Sequence, residues 1–187
     1  MTKNKNLYHL VLTAILSALI VVMTVVPYTG YISYGGVIEI TTLHIVTIVG
    51  AVFLGWKGGA VLGGVWGLTC IFRAMTNPLW EAFMNPLVSL VPRVLVGVVA
   101  ALVFDGLCKI RVNRFLSSII AAIAATLTNT LLVLSALALF GDSINGFFEL
   151  MKTVYLTVIG INGLIELAAA AILTPVLTFA LSKVHRD

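Results

Sequence analysis

Six long apolar runs, separated by short polar or glycine-rich breaks, restrict what this chain can fold into more than any other feature. They cover residues 7–26, 41–54, 57–75, 86–107, 115–140 and 153–181. A helix needs about 20 apolar residues to cross a hydrocarbon layer roughly 30 Å thick. Inside lipid the backbone must satisfy its own hydrogen bonds, which leaves helices or closed barrels. The runs are too long and too continuously apolar for barrel strands. Only 10% of the residues are charged, against about 25% in soluble domains. The expected fold is therefore all-α, an integral membrane bundle of six transmembrane helices, forming a single membrane-embedded domain over residues 1–187. The run 41–54 is short for a full crossing, so it either starts nearer residue 37 or is partly covered by protein. The run 153–181 is long enough to tilt, and Pro175 inside it is a kink point.

The charges that remain read as topology. The net charge is +4, but the eleven basic residues form no stripe, so nucleic acid is not an expected partner. With six spans, Lys3, Lys5, Lys57, Lys109, Arg111, Arg114, Lys183 and Arg186 fall on one side. Arg73, Lys152 and Arg93 fall on or toward the other. The positive-inside rule then puts both termini of a multi-pass membrane protein in the cytoplasm. Cys70 and Cys108 are too few and too isolated for a metal site or a disulfide framework. The first run has no small-residue cleavage site after it and is expected to stay as a span.

Small residues mark two faces. Gly55, Gly59, Gly63 and Gly67 recur at four-residue spacing, with Gly55 in the entering turn. Such a row lets a neighbouring backbone come close, either for internal packing or for a contact with another subunit. Ala14 and Ala18 form a second small-xxx-small pair on the first span.

The polar residues inside apolar runs are the candidates for function. Asn85 followed by Pro86 reads as a helix start. Pro92 has no N–H, so the carbonyl of Val88 loses its intrahelical partner and must bond elsewhere. Arg93 follows directly, about 10 Å along the helix from its start. A charge at that depth must be paired or wet. One alternative is an arginine that snorkels or pairs with an acid; the other is a cation at the floor of an outward-facing cavity. Asn162 and Glu166 share a helix face, and Glu166 is a candidate to neutralise Arg93. Asn129 lies beside Thr126 and Thr130 on the fifth run. His44, with no second ligand at metal spacing, reads as a hydrogen-bonding core residue rather than a metal ligand. Tyr28, Tyr31, Tyr34, Trp80 and Phe83 fall near the outer breaks, where aromatics are common in any membrane protein. Tyr31 and Tyr34, in a glycine-rich loop, also suit a lid over a small solute. Arg73 is a second candidate cation.

No nucleophile triad, paired acids, phosphate loop or nucleotide-binding domain is visible, so the chain does not read as an enzyme and implies no cofactor. A transporter of this kind needs a gradient or a separate energising subunit.

Taken together, AILSALI in the first run, ITTLHIVTIVGAVFLGWKGGAVLGGVWGLT across the second and third, and NPLVSLVPRVLVG in the fourth resemble the substrate-binding S components of energy-coupling factor (ECF) vitamin transporters. The resemblance covers essentially the whole chain. It implies a six-helix subunit that binds a vitamin near the outer face, and a complex with a transmembrane scaffold subunit and two ATPase subunits that hydrolyse the ATP. It also implies that Ala14 and Ala18 face the scaffold. The ITTLHI and NPLVSLVPR segments look most similar to the pantothenate type. On that resemblance Arg93 meets the carboxylate of an anionic vitamin, with Asn85, Asn129, Asn162, Glu166, Tyr31, His44, Trp80 and Arg73 as the remaining candidate contacts. Folate and riboflavin remain alternative vitamins. A proton-coupled secondary transporter titrating at Glu166 and a membrane assembly protein remain alternative classes.

Overall fold

The computed structural model describes residues 2–34, 38–76, 78–140 and 162–184. The chain runs through α1 (Thr2–Val25), an antiparallel pair β1 (Tyr31–Tyr34) and β2 (Ile38–Thr41), then α2 (Leu43–Ala74). A short 3-10 helix, Pro78–Met84, leads into α3 (Pro86–Lys109), α4 (Arg114–Phe140) and α5 (Gly163–Val184). Among the described residues, five helices are long and apolar enough to cross a membrane. The start of the sixth expected run, including Lys152 and Thr153, lies outside the described residues.

The expectation of six separate helices meets its one departure at Gly55. The second and third apolar runs form one continuous helical stretch, interrupted where Gly55 takes φ 71° and ψ −173°. That backbone region is essentially closed to residues with a Cβ. A straight helix would hold residues 50 and 62 about 18 Å apart. Instead a Cβ placed on Gly50 would run into the Leu62 side chain, and one on Gly59 would lie 2.8 Å from Ala51 Cβ. The limbs 43–54 and 56–74 therefore fold back against each other, with Gly55 as the elbow.

The glycine row on the second limb packs internally. A Cβ on Gly59 would strike the backbone of Gly97, one on Gly63 the backbone of Arg93, and one on Gly67 would sit 2.7 Å from Leu90 Cα. Removing the side chain at each turn lets α2 and α3 touch backbone to backbone. Half of the α2 span and half of the α3 span are buried, against 11% of the α1 span. On α1 Leu16 and Ile20 are buried in the core and Leu12 and Met23 pack against it, whereas Leu10, Ile15 and Val22 are exposed. Ala14 and Ala18 lie on this exposed surface.

The glycine-rich break after α1, expected as a loop, carries a short ladder instead. Tyr31 pairs with Thr41, Ile32 with Ile40 and Ser33 with Glu39. Glu39 is thus in β2, and α2 begins only at Leu43 rather than nearer residue 37. The alternation in IEIT suits a strand better than the first turn of a helix. Thr42 Oγ1 donates to the Thr29 carbonyl at 2.7 Å and ties the hairpin's base to α2.

Candidate functional site

The starts of α2, α3 and α5 and the end of α2 meet beneath the hairpin, and most of the predicted polar residues converge there. Asn85 caps α3, its side-chain oxygen accepting the Leu87 N–H at 3.0 Å. Seven residues on, Pro92 leaves the Val88 carbonyl without a helical partner. Arg93 Nη1 donates to that carbonyl at 2.7 Å. The arginine thus bends back onto its own helix. It does not snorkel, since it is only 7% exposed. It has no carboxylate partner among the described residues, and its Nε has no hydrogen-bond partner there. The guanidinium carbon lies 5.4 Å from the centroid of the Trp66 ring and 5.7 Å from that of Phe83, within the range of cation–π attraction.

From Trp66 a string of polar contacts runs to the hairpin. Trp66 Nε1 donates to the Tyr31 hydroxyl at 3.3 Å, and that hydroxyl also meets Cys70 Sγ at 3.0 Å. Burial raises the Tyr31 hydroxyl well above its ordinary pKa, and Cys70 adds to the effect; the charge of Arg93 and the Trp66 N–H pull the other way. Tyr31 is therefore a neutral hydroxyl. Arg73 lies over the Tyr31 ring, 4.1 Å from its centroid. Its two Nη atoms grip the two carboxylate oxygens of Glu39, Nη2 at 2.7 Å from Oε1. Asn162 Nδ2 donates to the Glu39 carbonyl at 2.8 Å.

Glu166 departs from expectation. It was a candidate to neutralise Arg93 and lies within its electrostatic reach, but its hydrogen bond is to the hairpin, where it accepts the Thr41 N–H at 2.7 Å. That N–H belongs to the last residue of β2, so the acid ties the hairpin to α5. A backbone donor already fixed by strand pairing is a nearer and better oriented partner than a guanidinium turned toward Val88. His44 is fully enclosed next to this point, its imidazole against the backbone of Glu166 and Thr41, although neither ring nitrogen makes a well-aligned hydrogen bond among the described residues. Asn129 Oδ1, Thr126 Oγ1 and Asn162 Oδ1 are also buried without partners there. Buried polar groups are seldom left this way.

The structure thus joins Arg93, Tyr31, Arg73, Asn162 and Glu166 through direct contacts and intermediates. It buries His44 against the backbone of Glu166 and Thr41, leaves Asn129 Oδ1 without a partner among the described residues, and uses the side-chain oxygen of Asn85 as a cap. The backbone of Trp80 lies in the 3-10 helix, while its side chain, like that of Tyr34, lies outside the described part. Trp66, Cys70 and Glu39 were not predicted as site residues. Trp66 carried a usable signal: a tryptophan in the middle of a span, away from the interfacial belts, needs a partner for its N–H. A cleft also opens at the opposite end of the bundle, among Phe53, Phe104, Arg114, Phe115, Thr178 and Phe179, and touches none of the predicted residues.

Residues 9–178 match the family described as "ECF transporter, substrate-specific component". The chain is 32% identical over 194 aligned residues to the pantothenic acid transporter PanT of Lactococcus lactis subsp. cremoris, a match covering 93% of this chain and 95% of that protein. A pantothenate transporter PanT of Leuconostoc mesenteroides subsp. mesenteroides is 34% identical over 111 residues, covering 56% of this chain and 54% of that one.

Proposed function

This chain belongs to the substrate-specific components of ECF transporters, and from that premise we propose that it is the pantothenate-binding subunit of an ATP-driven importer. The family supplies the class: a multi-pass, non-catalytic binding subunit that associates with a scaffold and ATPases. The names of the relatives point to the vitamin. The observation that carries the assignment on this chain is Arg93, a buried cation with no carboxylate among the described residues and an open Nε.

Pantothenate is an anion with hydroxyls and an amide. Its carboxylate would form a charge-assisted, bidentate pair with Arg93. The imidazole of His44 and the amides of Asn129 and Asn162 would meet the hydroxyls and the amide. Riboflavin has no carboxylate to offer Arg93, and folate calls for a larger aromatic pocket and more positive charge. Glu166 stays with the hairpin in this reading, and Arg73 stays with Glu39.

The two limbs of α2 are separate passes in this reading, which makes six spans with both termini in the cytoplasm. The fold-back at Gly55 and the basic residues at that end, Lys57, Lys109, Arg111 and Arg114, support it. The exposed Ala14 and Ala18 surface of α1 is where the scaffold docks.

Equilibrium binding of a vitamin panel to the purified chain, without ATPases, tests the assignment. Tight, saturable binding of pantothenate alone is expected. Tight binding of another vitamin would keep the class and discard the substrate. A folded sample that binds none would overturn the reading of this site.

A further inference from the structure

Valine, proline and arginine stand in a row at 91–93, and each of the last two does something the other needs. In an unbroken helix the N–H of residue 92 would hold the Val88 carbonyl. Proline has no N–H to give. Pro92 and Val88 are both buried, so water does not offer an easy substitute. The vacancy is filled by Arg93 Nη1 at 2.7 Å. A guanidinium is planar and rigid, so fixing one nitrogen fixes the others. Nη1 is the nitrogen on the Cδ side of the plane. Turning it back toward Val88 leaves the opposite edge, Nε and Nη2, facing away from that carbonyl. Nε is buried there and without a partner among the described residues.

We infer that Pro92 is a positioning residue: by withholding its N–H it leaves the Val88 carbonyl to capture Arg93 Nη1, and so presents the Nε/Nη2 edge to the carboxylate of the substrate. The inference deepens the proposed function and rests on it for the identity of that carboxylate. It also explains why a proline sits inside α3 where a helix would gain roughly 3 kcal/mol from alanine. The benefit is orientation. A carboxylate that finds its two donors already aimed loses less freedom on binding than one that must recruit a mobile arginine.

The decisive variant is Pro92→Ala. Alanine restores the N–H, which takes the Val88 carbonyl at ordinary helix spacing and releases Nη1. The fold is not at risk, because the change favours the helix. The first readout needs no ligand: rotation of the Arg93 guanidinium about its Nε–Cζ bond, followed by NMR on arginine-labelled protein and assigned by the signal lost in R93K. P92A should speed that rotation by roughly tenfold, the scale of losing one hydrogen bond from a charged group. Equal rates in the two proteins would overturn the inference.

The second readout is the ratio of affinities for pantothenate and for its analogue with the carboxylate replaced by a hydroxymethyl group. P92A should cut the wild-type preference for the carboxylate roughly tenfold while weakening the neutral analogue less. An unchanged preference, or equal weakening of both ligands, would overturn it. If wild-type protein binds no pantothenate, the substrate assignment falls, and the ligand-free rotation still decides the role of Pro92.

Discussion

Two arginines sit on aromatic rings at the same end of this bundle, joined through Trp66 and Tyr31, and they are satisfied in opposite ways. Arg73 rests on Tyr31, and Glu39 grips its fork through both carboxylate oxygens. Arg93 rests near Trp66 and Phe83, and a single backbone carbonyl holds one of its nitrogens. The one nearer solvent has the acid: the Arg73 side chain is 27% exposed, the whole of Arg93 only 7%. Desolvation alone would favour the reverse, because the deeper charge has more to lose. A deep cation kept without an ion pair among the described residues, with Glu166 in electrostatic reach but bonded to the hairpin, is suited to an anion that comes and goes. A shallower cation held by an acid across 34 residues of sequence, with that acid on β2, is suited to holding the hairpin.

The contrast predicts its largest effect at Arg93. Arg93→Ala should weaken pantothenate binding by about 3 kcal/mol or more, roughly a hundredfold in Kd by calorimetry, the usual cost of removing one partner of a buried charge pair. Arg93→Lys should fall between the two, about tenfold weaker than wild type, because an ammonium cannot reproduce a fork. Wild-type affinity in R93A would erase the distinction between the two arginines.

Much of this site was legible in the sequence, and what was hidden was hidden for a physical reason. The helical spans, the internal charge and the orphaned Val88 carbonyl all follow from local rules: run length, burial cost and proline's missing N–H. The glycine row announced close packing, and Gly59, Gly63 and Gly67 do lie against α3. Local rules are silent on partners. Nothing near Glu39 or Arg73 says that they pair, and Glu166 found the Thr41 backbone because strand pairing had already placed that N–H. Cys70 merged into an apolar run whose composition gives no hint of which face looks inward. The identity of β1 and β2 was masked by the glycines between them, which made the whole segment read as loop.

A smaller effect is expected where the backbone of Arg93 is held. A Cβ on Gly63 would press on the Arg93 carbonyl and lie 2.9 Å from Val94 Cα, whereas one on Gly64 would meet only Val94 Cγ2 at 3.9 Å. Gly63→Ala should therefore destabilise the chain by about 1–3 kcal/mol, the range for overpacking a close contact. Gly64→Ala should be neutral or stabilise by up to about 1 kcal/mol, as alanine does in a helix with room for it. Thermal unfolding of both variants in the same detergent checks the difference. Equal melting temperatures would mean that α3 can shift without cost, and the fixed placement of Arg93 would lose its support.

The smallest effect should come from the other arginine. If Arg73 and Glu39 serve the hairpin and not the ligand's carboxylate, then R73A, E39A and the double variant should form a cycle with a coupling energy of about 1 kcal/mol or less in stability, the scale of a partly exposed ion pair. Each single variant should weaken pantothenate binding by less than about tenfold, because neither side chain meets the carboxylate in this reading. The same cycle run between Arg73 and Arg93 in binding free energy should be close to additive, because the two guanidinium groups answer to different acids: one built into β2, the other arriving with the substrate. Strong non-additivity there, or a loss in R73A as large as in R93A, would make Arg73 a ligand residue and the Glu39 contact a stand-in for the substrate's carboxylate.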